Sequence, residues 1–327
     1  MLRLPPFTYL APRSLDEAVR RYAEHGAEAM YVAGGTDVYP NMKRRQFQPS
    51  VLIGLRHLRE LKRFVNGDGV TIGAGMTLTQ LAYHPIVRRE YPALASAAGL
   101  VSTPQLRNMG TYGGNLCLDT RCNYYNQTFF WRKAIGFCMK KDGDICLVAP
   151  GSPRCWAASS SDTAPVTIAL GARVRLVGPG GERVVPASEL YNDDGIQYLK
   201  KSPGEVLTEL IVPPAAGLQS VYLKLRRRGS FDFPILGVAV ALRRGADGAV
   251  THAKIVLAAV QSYPVECHEA EQMLIGQKLT PDLIEAAALA AYKPAKPLDN
   301  TDMAHGYRKK MCKVYVARAL QALAAQA

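Results

Sequence analysis

The order of apolar and polar positions along the chain predicts helices and strands in irregular alternation. A capping box at residues 14–17 predicts a helix to about residue 24, which ends at Gly26. Short apolar runs predict three strands, at residues 29–33, 51–54 and 70–73. Thr77 and Gln80 repeat the capping pattern, so we expect a second helix directly after the third strand.

The second half of the chain changes character at Pro213 and Pro214. Before this point, residues 173–177 and 183–185 flank a Pro-Gly-Gly turn and predict a hairpin. After it, three strand-like segments precede three helical segments, at residues 220–226, 235–243, 251–260, 266–275, 281–292 and 301–325. The pattern predicts an α+β protein with two domains, residues 1–213 and 214–327, and 327 residues suffice for two cores.

Five of the seven cysteines lie between Cys117 and Cys155, a density that needs a specific cause. The N-terminus lacks a secretory signal pattern, and no apolar run approaches the ~18 residues that span a bilayer. We therefore expect a cytoplasmic protein without a membrane partner, in which clustered cysteines more often bind metal than form disulfides. The spacing alone is compatible with three explanations: an iron–sulfur cluster, a structural zinc ion, or buried thiols without a ligand role.

The net charge of +13 suggests a binding partner of opposite sign. Lys and Arg are dispersed, with short runs at residues 43–45 and 226–228 and no long basic stripe, so we expect no nucleic-acid partner. An acidic protein partner fits this charge better, because complementary fields raise encounter rates. The six histidines are scattered, and none neighbours a glycine-elbow serine, so we expect no catalytic residue on this chain.

Two glycine-rich loops, residues 34–37 and 110–115, indicate a ligand that carries phosphate. Glycine allows backbone N–H groups to approach phosphate oxygens closely, and each loop also supplies a threonine hydroxyl. A Gly-Gly turn is often only a turn, but two such loops in one domain favour binding. Neither loop matches the Rossmann or Walker A pattern, which disfavours classical NAD or ATP binding.

Three segments in order, residues 32–37, 107–115 and 161–165, resemble the FAD-binding subunits of molybdenum hydroxylases, the xanthine dehydrogenase and carbon monoxide dehydrogenase group. The resemblance covers essentially the whole chain. It implies a two-part FAD-binding domain of the PCMH/vanillyl-alcohol-oxidase type in residues 1–213, with an iron–sulfur loop insertion at residues 117–158. It also implies a C-terminal domain of the CO-dehydrogenase flavoprotein type, a three-stranded sheet plus helices, in residues 214–327.

The insertion most closely resembles that of the 4-hydroxybenzoyl-CoA reductase beta subunit, which binds an additional [4Fe-4S] cluster. The resemblance implies that four of the five clustered cysteines are ligands, namely Cys122, Cys138, Cys146 and Cys155. It leaves Cys117 on the second glycine loop, as a buried thiol. A plant-type C-x4-C-x2-C motif starting at Cys117 would need cysteine at position 125, which is Tyr125.

For the flavin, the resemblance implies fifteen contact residues: Tyr31, Val32, Ala33, Gly34, Gly35, Thr36, Asp37, Val38, Thr111, Tyr112, Gly113, Gly114, Asn115, Asp162 and Lys224. Asp162 would bind adenosine or ribityl hydroxyls; otherwise it only caps a helix turn. Lys224 would lie near the isoalloxazine; otherwise it is an exposed strand lysine. The aromatic residues 129–131 would either shield the flavin or form the small core of the insertion.

The resemblance implies an electron-transfer subunit that contains FAD and a [4Fe-4S] cluster. Its partners would be a large molybdenum-cofactor subunit and a small subunit with two [2Fe-2S] clusters, in a heterotrimer that dimerises. The external electron carrier would be ferredoxin or another protein. In the reductase interpretation, these electrons drive removal of the phenolic hydroxyl of 4-hydroxybenzoyl-CoA. The alternatives are the same subunit of an enzyme that oxidises an aldehyde or N-heterocycle, and a zinc scaffold without FAD.

Overall fold

The structure, a computed structural model, describes residues 2–326 and contains three β-sheets with helices between and around them. The strands are β1 (Thr8–Leu10), β2 (Ala29–Val32), β3 (Val51–Gly54), β4 (Phe64–Gly67), β5 (Gly69–Gly73), β6 (Arg173–Gly178), β7 (Gly181–Pro186), β8 (Val206–Val212), β9 (Leu218–Leu225), β10 (Leu236–Arg244), β11 (Val250–Ala258) and β12 (Val265–Glu266). The helices are α1 (Leu15–His25), α2 (Val38–Lys43), α3 (Leu78–Tyr83), α4 (Pro85–Glu90), α5 (Pro92–Leu100), α6 (Pro104–Arg107), α7 (Tyr112–Leu116), α8 (Phe129–Ala134), α9 (Thr163–Ala169), α10 (His268–Leu274), α11 (Pro281–Tyr292) and α12 (His305–Ala324). Within this described range, no helix is both long and apolar enough to cross a membrane.

The N-terminal part of the chain forms a small parallel sheet with strand order β1-β3-β2. Helix α1 connects β1 to β2 and begins at Ser14, whose hydroxyl accepts a hydrogen bond from the Glu17 amide at 3.1 Å. Gly26 ends the helix with a φ of +54°, which glycine adopts without steric cost. Both predicted ends of α1 are thus confirmed, and β2 runs from Ala29 directly towards the first glycine loop.

The second sheet is antiparallel, with strand order β4-β5-β8-β6-β7. The predicted hairpin forms its β6–β7 edge, where Gly178 pairs with Gly181. Apolar side chains of β5, β6 and β8 pack with α3, α4, α5 and α9 in the largest core of the molecule. Every residue of α9 is buried, which is possible because the helix contains no charged side chain.

The C-terminal sheet has four antiparallel strands in the order β12-β11-β10-β9, which corrects the prediction of three. The additional strand, β12, has only two residues, Val265 and Glu266, too few to produce an alternating pattern. Helices α10 and α12 pack against this sheet, and α5 and α9 pack against it from the other domain. The first seven residues of β10 are all buried, as expected for a strand covered on both faces.

The predicted domain boundary lies between β8 and β9, at Pro213 and Pro214. Helices α5 and α9 belong to the N-terminal part but contact strands β9, β10 and β11. The two parts therefore share a buried interface. The division into residues 1–213 and 214–327 stays a prediction.

The cysteine-bearing insertion, residues 117–158, consists mostly of loops and contains the short helix α8. Arg132 of α8 is fully buried and donates hydrogen bonds to the carbonyl groups of Arg44 and Arg45, at 3.1 and 3.3 Å. Gln46 donates to the carbonyl group of Tyr125 at 2.5 Å. These contacts anchor the insertion against the segment that follows α2.

Candidate functional site

The dominant feature of the surface is a cavity of about 1030 Å³ between the first sheet, the two glycine loops and the loops of the C-terminal sheet. Twelve of the fifteen residues predicted to contact the flavin line it: Tyr31, Ala33, Gly34, Gly35, Thr36, Asp37, Val38, Thr111, Gly113, Gly114, Asn115 and Asp162. The other three, Val32, Tyr112 and Lys224, are not among the lining residues. The cavity volume lies at the upper end of the range for ligand pockets, roughly 300–1,000 Å³.

The two glycine loops contact each other at the cavity wall. A Cβ atom on Gly34 would overlap the carbonyl group of Met109, which directly precedes the second loop. Gly35 has a φ of +72°, and a Cβ atom there would overlap the ring of Tyr39. Only glycine fits either position, so backbone rather than side chains forms this part of the wall.

The second glycine loop is fixed by hydrogen bonds to the segment that carries Asp162. Asn115 Oδ1 accepts from Ser161 Oγ at 2.8 Å and from Thr163 Oγ1 at 2.7 Å. Tyr112 points away from the cavity, and its hydroxyl group pairs with Thr167 at 2.7 Å within the core. The loop and the Asp162 segment thus form one unit, in which Tyr112 has a packing role.

Asp162 and Lys224 form a buried ion pair, with side chains 3% and 1% exposed. Tyr222 donates to Asp162 Oδ1 and Lys224 to Oδ2, each at 2.8 Å, and Lys224 also donates to the Leu100 carbonyl. Burial raises the pKa of Asp162 and lowers that of Lys224, and their mutual attraction opposes both shifts. Lys224 is therefore not an exposed strand lysine, and it does not line the cavity. Instead it orients Asp162, which lines the cavity.

Arg121 connects three parts of the molecule at the cavity wall. Its guanidinium group forms an ion pair with Asp37 of the first glycine loop. The same group lies 4.6 Å from the centre of the Phe233 ring, in the loop between β9 and β10. Arg121 is 7% exposed and directly precedes Cys122. It therefore fixes the start of the insertion against both domains.

Cys122, Cys138, Cys146 and Cys155 come together around a second, small cavity, although they are up to 33 positions apart. All four are unpaired and at most 8% exposed. Burial raises the pKa of Cys122 to about 12 and that of Cys155 to about 11. Cys117 lies apart from them on the wall of the large cavity, and the last two cysteines, Cys267 and Cys312, belong to the C-terminal core.

These four thiols could hold a metal centre, because they line one cavity and are not joined in disulfides. Among residues 2–326, only Glu266, His268 and Glu271 place three potential ligand atoms within 4.8 Å of one another. The four cysteine sulfurs do not form such a set. The Ala157 amide also donates to Cys155 Sγ at 3.4 Å, a contact typical of cluster ligands. Lys254 already pairs with both carboxylates of the Glu266 set, at 2.7 Å from Glu266 and 3.5 Å from Glu271.

The two cavities share one residue, Cys122, which lines both. The wall between them also contains Asp119, which faces the large cavity, and Lys140, which lines the small one. Of the other basic residues in the insertion, Arg132 binds backbone carbonyl groups and Lys133 is exposed. No sequence signal separates Lys140 from these neighbours.

The aromatic residues of the insertion do not cover the large cavity. Phe129 packs against Phe137, with ring centres 5.8 Å apart. Phe130 and Trp131 are 77% and 41% exposed. The prediction that they shield the flavin is wrong, and only Phe129 contributes to a small core.

Two family descriptions match the chain: residues 5–215 match the FAD binding domain in molybdopterin dehydrogenase, and residues 220–323 match the CO dehydrogenase flavoprotein C-terminal domain. The carbon monoxide dehydrogenase medium chain of Hydrogenophaga pseudoflava is 31% identical over 320 residues, 97% of each chain. The aldehyde oxidoreductase FAD-binding subunit of Escherichia coli is 32% identical over 254 residues, 75% of this chain and 80% of that one.

A solved structure of carbon monoxide dehydrogenase from Hydrogenophaga pseudoflava has the same fold. It superposes with a TM-score of 0.80 and 31% identity, over 98% of this chain and 97% of that chain. The agreement includes both matched regions, and thus the glycine loops and the C-terminal sheet. The chain is therefore a member of the family of FAD-binding medium subunits of molybdenum hydroxylases, an oxidoreductase family.

Proposed function

We propose that this chain is the electron-transfer subunit of a molybdenum hydroxylase and holds FAD in the large cavity and a [4Fe-4S] cluster on Cys122, Cys138, Cys146 and Cys155. The observation that carries the proposal is that Cys122 lines both cavities. A ligand bound at the large cavity and a metal centre on the four thiols would share this residue as their common wall. Such adjacency suits electron exchange.

The residues of each cavity fit the group assigned to it. The backbone at Gly34 and Gly35, together with the hydroxyl groups of Thr36 and Thr111, would hold the pyrophosphate of FAD. The other predicted flavin residues that line the cavity would contact the rest of the cofactor. Asp162 would accept hydrogen bonds from ligand hydroxyl groups while Lys224 and Tyr222 orient it. FAD supplies two-electron and one-electron exchange, and an iron–sulfur cluster supplies one-electron exchange.

The partners follow from the relatives, in which the similar chain is called a medium chain. We propose a large subunit with the molybdenum cofactor, a small subunit with two [2Fe-2S] clusters, and a heterotrimer that dimerises. The external carrier would be ferredoxin or another acidic protein. The exposed side chains of Phe130, Trp131 and Lys133 support this assignment, because they give the insertion an apolar and basic surface.

For the substrate we propose oxidation of an aldehyde or N-heterocycle by the whole enzyme. The similarity to an aldehyde oxidoreductase subunit supports this class. A second candidate is the reductive removal of the phenolic hydroxyl of 4-hydroxybenzoyl-CoA. The four-cysteine cavity favours it, because a second one-electron centre suits a one-electron donor. The isolated native complex, assayed with aldehydes, N-heterocycles and 4-hydroxybenzoyl-CoA plus a low-potential donor, distinguishes the two.

The cofactor assignment is tested by replacing each proposed ligand. Protein purified anaerobically should contain flavin, iron and acid-labile sulfide, and Cys122→Ser, Cys138→Ser, Cys146→Ser and Cys155→Ser should each lose most of the iron. Cys117→Ser is the matched control and should keep it, since Cys117 lies on the large cavity. Stoichiometric zinc without flavin would overturn the proposal, as would iron loss in the Cys117 variant alone.

A further inference from the structure

A buried lysine–aspartate pair lies between the two cavities. Lys140 Nζ lies 2.7 Å from Asp119 Oδ1, and both side chains are 5% exposed. Asp119 lines the large cavity and Lys140 the small one. The pair thus crosses the wall that separates the four thiols from the glycine loops.

The ammonium group of Lys140 is held in a fixed position. Besides Asp119 it donates to Thr120 Oγ1 at 2.6 Å and to the Gly195 carbonyl group at 2.5 Å. These three acceptors match the three N–H donors of an ammonium group. The same group lies 4.7 Å from the centre of the Tyr125 ring, which also lines the small cavity. Its charge is therefore neither mobile nor screened by water.

Gly195 brings this charge close to one of the thiols. Its amide donates to the Cys155 carbonyl at 2.9 Å, and a Cβ atom on Gly195 would lie 2.7 Å from Cys155 Sγ. The Lys140 ammonium group is thus separated from a proposed ligand sulfur by the backbone of a single glycine. A charge at such a site, away from solvent, acts more strongly than one at the surface.

Burial of both charges is costly, and an apolar pair of similar volume is often at least as stable. Packing alone therefore does not explain why a lysine and an aspartate occupy this wall. Electrostatics does, because reduction of an iron–sulfur cluster by one electron adds one negative charge. A fixed ammonium group favours the more negative form, and a neighbouring carboxylate limits that effect.

We propose that Lys140 and Asp119 together set the reduction potential of the metal centre on the four cysteines, with Lys140 raising it and Asp119 lowering it. The inference rests on the proposed function, since it requires the cluster. It adds two residues that do not contact the metal and assigns opposite effects to them.

The test is a redox titration of the anaerobically purified chain, followed by electron paramagnetic resonance. Lys140→Gln should disfavour reduction at least tenfold, which for a one-electron couple is a shift of about 59 mV to lower potential. Asp119→Asn should shift the potential the opposite way, because it leaves the ammonium charge uncompensated. Lys141→Gln is the matched control, since Lys141 is the adjacent residue but its side chain is 34% exposed; it should leave the potential unchanged.

Opposite shifts in the two variants support the proposal, whereas shifts of the same sign or unchanged potentials overturn it. If Lys140→Gln loses the iron, two other variants test the proposal. Asp119→Asn should then still shift the potential upward, and Lys140→Arg should keep the wild-type potential; any other result overturns the proposal. Iron loss in both Lys140→Gln and Asp119→Asn would show that the pair has only a structural role, and would overturn the proposal. A wild-type protein with flavin but without iron and sulfide instead contradicts the proposed cluster, so the two failures are distinguishable.

Discussion

At the scale of single residues, close contact fixes the position of a proposed metal ligand. Gly195 is the clearest case, because a Cβ atom there would lie 2.7 Å from Cys155 Sγ and 2.9 Å from the Ala157 Cβ atom. Real side chains do not tolerate such distances, so one of the two neighbours would have to move. The position of Cys155 therefore depends on a residue 40 positions away.

We expect Gly195→Ala to lose most of its iron and to lower the free energy of unfolding by about 1–3 kcal/mol, the usual cost of overpacking. Iron analysis and urea unfolding measure the two effects. The control is Gly151→Ala in the insertion that carries Cys155, where a Cβ atom would meet nothing within 4 Å. Equal iron content in both variants would contradict a role of Gly195 in placing Cys155.

At the scale of secondary-structure elements, helix starts and the β6–β7 hairpin were predictable, whereas the pairing of strands remote in sequence was not. Thr77 caps α3 as predicted and Thr280 caps α11, because a cap depends on residues three positions apart. Strand β4 is mostly exposed and was not predicted, since no apolar side marks it. Strand β8 was also missed, although it occupies the centre of the five-stranded sheet. Its partners β5 and β6 are remote in sequence.

An ion pair joins β7 to the turn before β8. Arg183 donates to Glu205 Oε1 at 2.7 Å and to Oε2 at 2.9 Å, and the Ser202 amide also donates to Oε2. The Arg183 hydrogen bond holds the pKa of Glu205 below its ordinary value of 4.5. A carboxyl group whose pKa is lowered on folding stabilises the fold above its unfolded pKa, and this contribution disappears as the pH falls through the folded value.

We therefore expect Glu205→Gln to cost about 1 kcal/mol at pH 7, the low end for a charged hydrogen bond because Arg183 is 40% exposed. The difference from the wild type should shrink below pH 4.5 and vanish once Glu205 is protonated. Urea unfolding as a function of pH measures it. Glu189→Gln, an exposed position in the turn that follows β7, is the control. A difference that is constant with pH would rule out the ionic contribution.

At the scale of the whole molecule, the C-terminal region holds the cysteine loops in place through Asn300. The Asn300 carbonyl accepts from the Asn123 amide at 2.8 Å, and its side chain donates to the Trp156 carbonyl at 2.5 Å. These two neighbours directly follow Cys122 and Cys155. The fully buried Arg308 of α12 donates to Asn300 Oδ1 at 3.2 Å and so fixes the amide orientation.

Asn300→Ala should lower the ratio of iron to flavin and destabilise the protein by about 1 kcal/mol, because it leaves the part-buried Trp156 carbonyl without a partner. Iron and flavin analysis of the same sample measures the ratio. Asn66→Ala on the exposed strand β4 should change neither quantity. Loss of flavin with full retention of iron would show that Asn300 acts on the large cavity instead.

The sequence by itself determined the features that depend on neighbouring residues. These are the capped helices, the glycine loops that only Gly34 and Gly35 can form, and the four cysteines that the resemblance selected. Backbone conformation and hydrogen bonding over a few positions suffice for them.

Only the tertiary structure decided which distant groups meet. Lys140, Lys141 and Lys224 look alike in sequence, yet Lys140 and Lys224 are buried against carboxylates 21 and 62 positions away, while Lys141 is one-third exposed. The role of Cys122 as the shared wall of two cavities has the same origin. Such contacts depend on how the sheets and loops pack, and no local pattern carries that information, because burial and electrostatic pairing are fixed only when remote segments come together.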